Sequence, residues 1–224
     1  MKTNVILVPL FGIPGSGKGT IISTLKKLSA TNADIQVVSV EMGSHFRKLA
    51  QDDECIRQIV DSGNLLSDST ANETFQKLIQ EVAANVLFGQ ELKNKVVILI
   101  DGYPRAKNQG ENFLAFIRSK NLEVAPVFLE LDEEISIQRS RIRRICPQCG
   151  ATFSIKEHTT CPKCQTRGRR RPDDHSMAHR IAVFNDETLP VIKKARQSFQ
   201  HQISVESNDL RTAALEIWAF FQNL

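Results

Sequence analysis

The sequence predicts an α/β fold, a five-stranded parallel sheet covered by helices and carrying two insertions. Three observations lead there. Short β-branched runs alternate with helical patterns, the runs are apolar almost throughout as doubly buried strands must be, and a glycine loop joins the first run directly to the first helix. Of 224 residues, 41% are hydrophobic and 24% charged, which excludes a disordered, collagen-like or low-complexity chain. A chain this long buries about 70% of its unfolded surface and needs no disulfide staples.

In chain order, the strand candidates are Val5–Leu10, Ile35–Val40, Val96–Asp101, Val124–Leu131 and Gln202–Glu206. Helical patterns cover residues 18–29, 68–88, 107–120, 133–142, 176–200 and 208–222. In the last of these Leu210, Ala214, Ile217, Trp218 and Phe221 recur at helical spacing and mark a core-facing stripe. Two segments break the alternation. Residues 42–66 are short, polar and helical, with Gly43 and Gly63 near their ends, and residues 143–174 have little hydrophobic period. Both read as insertions on one domain spanning residues 1–224, without internal repeats. The longest apolar stretch, Val5 to Ile13, is far shorter than the ~20 residues of a membrane span. Pro9 interrupts it and a glycine loop follows in place of a cleavage site, so a cytoplasmic protein with no membrane contact is expected.

Gly12-Ile-Pro-Gly-Ser-Gly-Lys-Gly-Thr20 follows the first strand and opens a helix whose apolar positions are Ile21, Ile22, Leu25 and Leu28. That is the setting of a phosphate-binding loop. Its glycines let consecutive N–H groups turn inward, the helix N-terminus adds partial positive charge, and Lys18 reaches the outer phosphates. Gly15, Ser16, Gly17, Lys18, Gly19 and Thr20 are the candidate phosphate-binding residues; Gly19 stands where Ser or Thr is commonest, with Thr20 one place later. About eighty residues on, Asp101-Gly102-Tyr103-Pro104-Arg105 closes the third strand. An acid there can hold Mg²⁺ through its waters, and Arg105 offers a fork for a phosphate.

The formal net charge of +4 conceals a strong asymmetry. Residues 139–171 hold ten basic residues and one acid, Glu157, a balance of +9 that leaves the remainder at −5. A basic segment on an acidic body implies a polyanionic partner, nucleotide phosphates or a nucleic-acid backbone. The same segment contains Cys146-Pro-Gln-Cys149 and Cys161-Pro-Lys-Cys164, two pairs eleven residues apart. Each pair forms a knuckle offering two thiolates, and together they read as a tetrahedral zinc site with no open position, hence structural. Redox chemistry would need only one pair. Cys55 stands alone and reads as a small buried hydrophobe.

GIPGSGKGT and DGYPR, with RRICPQCGATF and the pair Asp173–Asp174, resemble the adenylate kinases of the nucleoside monophosphate kinase family over nearly the whole chain. The resemblance implies a P-loop kinase core binding Mg·ATP, a monophosphate-binding insertion at residues 42–67 and a zinc-bearing lid at 143–174, both closing over ATP and AMP. It implies a monomer. Gly43, Phe46 and Arg47 look like the segment that binds the monophosphate, and Asn64, Leu65 and Leu66 like the stretch at its base. Gly102, Tyr103, Pro104 and Arg105 would line the same side. Gln109 sits where the family's adenine-reading glutamine is found, and its amide suits an adenine edge. Arg139 resembles the arginine that stacks on the ATP base. Arg143, Arg171 and Arg180 resemble three that converge with Lys18 and Arg105 on the transferred phosphoryl group. The chain departs from the pattern at Met42, usually threonine, at Ser67, usually proline, and at Glu206-Ser207, usually Asp-Gly; the segment between the cysteine pairs is short, and about two residues are missing between Asp174 and Arg180.

The implied reaction is transfer of the γ-phosphoryl group of ATP to AMP. The acceptor oxygen is already anionic, so no general base is needed, only in-line positioning and charge neutralisation. A CMP- or UMP-preferring kinase fits the same motifs given Met42. An ATP-dependent zinc-ribbon protein binding nucleic acid would need stacking aromatics among its arginines, and the segment offers only Phe153. Nucleotide binding without turnover is a third reading, favoured by the short lid. Asp173 and Asp174 would pair with basic groups at the hinge, or stand as an acidic pair before the helix from residue 176.

Overall fold

A computed structural model of the protein describes residues 4–87 and 93–224; residue 88, the far end of the expected 68–88 helix, lies outside them. The chain runs from strand β1 (Asn4–Gly12) through helix α1 (Lys18–Ala30) to β2 (Ile35–Glu41). Two short helices follow, α2 (Met42–Leu49) and α3 (Glu54–Ser62), then the long α4 (Asp68–Leu87). Next come β3 (Lys95–Asp101), α5 (Lys107–Lys120), β4 (Glu123–Val124), β5 (Val127–Glu130) and α6 (Glu133–Ile142). A small hairpin, β6 (Arg143–Ile145) and β7 (Thr152–Ser154), precedes α7 (Met177–Val183), α8 (Leu189–Ser198), β8 (Ile203–Glu206) and α9 (Leu210–Asn223).

The main sheet is parallel in the order β2-β3-β1-β5-β8. The expected strand 124–131 is broken in two, β4 and β5 both pairing with β1. Pro126 has no N–H for the ladder, which explains the break; its carbonyl still accepts from the Ile203 N–H at 3.2 Å. Register brings Leu10 and Glu41 level with Asp101, so β1, β2 and β3 end at one edge. Ligands of parallel α/β sheets bind in the crevice beyond that edge.

Alternation along β1 explains the two sides of the core. Ile6, Val8 and Leu10 pack with Ile21, Leu25, Ile217 and Phe221 of α1 and α9, whereas Leu7 packs with Phe75, Ile79, Phe113 and Ile117 of α4 and α5. Phe75 is fully buried and stacks on Tyr103, ring centroids 4.3 Å apart, so truncating it to alanine costs about 3–5 kcal/mol. In the α9 stripe Ala214, Ile217 and Phe221 are buried, and Leu210 and Trp218 pack against the cluster that holds Ile217 and Phe221.

The single helix expected over 176–200 is instead α7, a π-helical turn at Phe184–Thr188, and α8. Pro190 near the start of α8 lacks the N–H that an unbroken helix would use. The Thr188 hydroxyl meanwhile leaves the helix to donate to the Arg105 carbonyl at 2.9 Å.

Candidate active site

The glycine loop spans residues 13–17 between β1 and α1, and two glycines make it possible. Gly15 and Gly17 have φ of 91° and 92°, left-handed values costly for any other residue. A side chain at Gly17 would also collide with Leu210 at the start of α9. Ser136 on α6 donates to the Pro14 carbonyl and fixes the loop from outside. Lys18 folds back beneath it, its Nζ donating to Gly12 O at 2.7 Å, Ile13 O at 3.2 Å and Ser16 Oγ at 3.1 Å. Gly19 and Thr20 are exposed at the start of α1, with open space around Gly19.

Asp101 ends β3 beside this loop. Its Oδ1 is buried and has no hydrogen-bond partner, an arrangement that a hydrated Mg²⁺ ion fits, since its waters would satisfy the orphaned oxygen. Gly102, with φ 85°, turns the chain so that Arg105 lies back against it. Tyr103 is buried and donates to Asn72 Oδ1 at 2.7 Å. Pro104 is buried too.

The structure gathers six cations around Asp101. Lys18, Arg47, Arg105, Arg171 and Arg180 share one space, with the Arg143 charge bearing on Lys18 and Arg180 and with Asp173 and Asp174 the other anions there. Asp173 takes a forked pair from Arg171 and lies 3.1 Å from Arg180; Asp174 takes a fork from Arg143 and lies 4.0 Å from Arg180. Both acids stand in a 3-10 turn at Pro172–Asp174, with α7 starting three residues beyond. Arg180 Nη1 is at ion-pair distance from Asp173 but without hydrogen-bond alignment, so a buried N–H is left without a partner.

Burial first, and neighbouring charge second, show in the ionisation of the cluster. Burial lowers the Lys18 ammonium to about 8, with Asp101 opposing and the arginines at 105, 180 and 143 adding to the fall. Burial lowers Arg47 and Arg180 to about 10, and Arg105 also falls. For Asp173 burial would raise the carboxyl, but Arg171, Arg180 and Arg47 outweigh it and hold it well below the carboxylate range. Six cations against three carboxylates leave the site short of negative charge, the state a phosphate-binding site has before its ligand.

Around this centre the remaining predicted residues separate. Arg47 lies on α2, and Gly43 one turn earlier has no side chain, leaving room for the guanidinium 3.2 Å from where a Cβ would stand. Met42 is 1% exposed and packs in the core with Val40, Ile100 and Tyr103. Leu65 and Leu66 are half-buried beyond α3. Asn64 reaches α7, its Oδ1 2.7 Å from His179 Nε2. Arg139 stands apart from the phosphate cluster; its Nη2 donates to the Ser207 and Asn208 carbonyls at 2.7 and 2.9 Å, and its Nη1 is buried without a partner.

Gln109 is 2% exposed, and both ends of its amide are engaged within the chain. Its Oε1 accepts from the Arg105 N–H at 2.9 Å and its Nε2 donates to Asp68 Oδ1 at 3.0 Å. It could read a base only by exchanging those partners. Sequence reasoning missed Thr188, Asp68 and His179; their signals lie in tertiary contacts, which no local spacing carries.

The four cysteines gather at the tip of the hairpin arm. Their sulfurs all lie within 4.8 Å of one another, with Cys146–Cys164, Cys149–Cys161 and Cys149–Cys164 separations of 3.4, 3.5 and 3.6 Å. A tetrahedron of 2.3 Å Zn–S bonds places its sulfurs about 3.8 Å apart, so the quartet fits zinc. Backbone turns from Gly150 N to Cys146 O and from Gln165 N to Cys161 O form the two knuckles. Phe153 supplies the arm's one buried ring, against a Gly168 too close to carry a side chain. Cys55 is exposed on α3, not buried as its isolation suggested.

Comparison with known proteins agrees with this geometry. The family described as AAA domain matches residues 11–149. An adenylate kinase of Thermotoga maritima is 31% identical over 194 residues, 81% of each chain. Those of Thermoanaerobacter sp. and Petrotoga mobilis are 29% and 28% identical, over 83–84% of this chain. With the glycine loop, the Asp101–Arg105 turn and the converging arginines in place, the chain belongs to the adenylate kinase family.

Proposed function

We propose that this protein is a nucleoside monophosphate kinase of the adenylate kinase type, reversibly transferring the γ-phosphoryl group of Mg·ATP to AMP. The observation that carries the reading is the surplus of cations, Lys18 with arginines 47, 105, 143, 171 and 180, around the end of the glycine loop. Phosphoryl transfer between two phosphates needs little else: the attacking oxygen is already charged, and catalysis is alignment with neutralisation.

The loop N–H groups and Lys18 would hold the ATP phosphates. Arg139 and the Ser207–Asn208 carbonyls it grips would flank the adenine of ATP. Asp101 would hold Mg²⁺ through its waters, and the ion, when bound, screens the charge between adjacent phosphates. Arg47 and Arg105 would seat the acceptor phosphate, with Gly102, Tyr103, Pro104 and the half-buried Leu65 and Leu66 beside it. Arg143, Arg171 and Arg180 would stabilise the transferring group, exchanging Asp173 and Asp174 for phosphate oxygens. Residues 42–67 would act as the acceptor-binding insertion and residues 143–174 as a zinc-ordered lid that keeps water, a competing acceptor, from the site.

We read the protein as a cytoplasmic monomer acting on small molecules. Among the described residues no helix is long and apolar enough to cross a membrane. The arm's one phenylalanine, Phe153, is buried, so the arginines lack an exposed phenyl or indole ring on which nucleic-acid bases could stack.

A pyrimidine-preferring kinase is the second reading, supported by the apolar Met42 and the engaged amide of Gln109. The test offers Mg·ATP with AMP, CMP, UMP, GMP and dAMP separately and follows nucleoside diphosphate formation by phosphorus NMR. Preference for AMP supports the first reading. Preference for CMP or UMP supports the second, and turnover of none removes both.

A further inference from the structure

Behind the Arg105 turn, on the face of the sheet away from α1, α5 and α8 come together at Gly110 and Val191. Beyond that contact they diverge and leave an open cavity of about 210 Å³. Its floor and walls are Phe11, Pro104, Phe113, Leu114, Val191 and Phe199, all apolar. Gly110 and Ala195 also line it and bring little side-chain volume.

Two lysines stand over this apolar space from opposite helices, Lys107 on α5 and Lys194 on α8. Both are exposed, and neither is paired with an acid among the described residues. The hydroxyl of Ser198, which also lines it, donates to the Lys194 carbonyl. Among the described residues no acid lines the cavity. An apolar slot lined by two cationic residues has the form of a small-molecule site, and its volume suits a short occupant better than a drug-sized one.

We propose that this cavity binds a small amphipathic carboxylate of the medium-chain fatty-acid kind, the chain lying between α5 and α8 and the head meeting Lys107 and Lys194. Apolar burial supplies the affinity, because exposed ion pairs contribute little. The lysines select the sign of the head, and their aliphatic stems extend the apolar rim. The cavity also shares supports with the active site. Pro104 in its wall precedes Arg105, and Thr188, which holds the Arg105 carbonyl, lies two residues before Pro190 at the cavity edge. An occupant therefore bears on Arg105 and shifts the KM for the acceptor; this consequence rests on the kinase reading, the binding itself does not.

The test is a titration of the ¹⁵N-labelled full chain with decanoate below its micellar concentration, followed by NMR. Saturable shifts centred on Gly110, Leu114 and Ser198 are expected. A double variant, Lys107→Glu with Lys194→Glu, lies wholly at exposed positions and should weaken decanoate at least several-fold while gaining affinity for decylammonium. The proposal is overturned by no saturable shift, by shifts scattered over the surface, or by equal decanoate affinity in the variant. It also falls if the free protein is a dimer that closes the cavity against a second copy. Binding without any change in acceptor KM would leave the site standing and remove its link to Arg105.

Discussion

Arg171 grips Asp173 through both arms of its guanidinium, Nε donating to Oδ1 at 2.8 Å and Nη2 to Oδ2. The two residues share one short turn, and the acid also faces Arg180. Asp173 thus holds in place two arginines that would otherwise repel one another in a poorly solvated space. Removing one partner of such a buried pair leaves charge uncompensated.

Asp173→Asn should destabilise the ligand-free protein by about 3–5 kcal/mol in urea titration. ATP should restore part of that loss, because phosphate replaces the missing carboxylate. The sign with pH follows from the depressed carboxyl: its contribution is complete above the ordinary value of 3.8 and is lost as pH falls below it. The Asp173→Asn variant should therefore lose less stability on acidification than the wild type.

Lys18 gives a prediction on the alkaline side. Its ammonium, lowered to about 8 by burial, is charged at neutral pH and deprotonates in the free protein above that value. Phosphates favour the charged form, so ATP binding takes up a proton above pH 8, and the Kd should rise by up to about tenfold per pH unit there. Calorimetry in two buffers of different ionisation enthalpy reads the proton directly. In the unliganded protein the same depression makes stability rise from about pH 8 towards 10.5, because the unfolded chain binds more protons in that range. Lys18→Met should abolish both effects.

Arg180 keeps a buried N–H free beside its ion pairs, a donor ready for a group not yet bound. Arg180→Lys preserves the charge and loses the fork. Steady-state kinetics should show kcat reduced by about 10²- to 10³-fold, the usual loss for one transition-state donor, with KM for ATP little altered.

Gln109 supports Arg105 through the backbone, so Gln109→Leu should leave that part-buried N–H unpaired at a cost of about 1 kcal/mol. The KM should then rise for every monophosphate by a similar factor. Selective loss of AMP would instead assign Gln109 to reading the base.

Removing metal from the cysteine quartet should unfold the arm and spare the sheet, because the arm's own apolar cluster is limited to Cys146, Phe153, Cys161 and two neighbours. Metal binding in small zinc modules contributes about 10–16 kcal/mol of apparent free energy, enough to order an arm with so small a core. Chelation should abolish a low-temperature step in calorimetry and suppress transfer, while ATP still binds the glycine loop.

How far the sequence spoke depended on the range of the interaction. The glycine loop, the Asp101–Arg105 turn and the cysteine knuckles are local in sequence, so residue type and spacing carry them. The parallel sheet and its covering helices followed from the alternation of patterns. The break at Pro126 was written in the residue itself, yet apolar continuity masked it. The π-helical turn before Pro190 and the Thr188 bond to Arg105 depend on α8 meeting a loop 83 positions earlier. The engaged amide of Gln109 depends likewise on Asp68, brought alongside by the packing of α4 on α5.

The central claim is that one cation-rich cavity holds the phosphates of both nucleotides and excludes water. Its most direct test is to follow γ-³²P-labelled ATP with and without AMP at equal protein concentration. The account predicts label appearing in ADP, with two ADP formed per ATP consumed and almost no inorganic phosphate. Release of the label as phosphate at the same rate with or without AMP would contradict it.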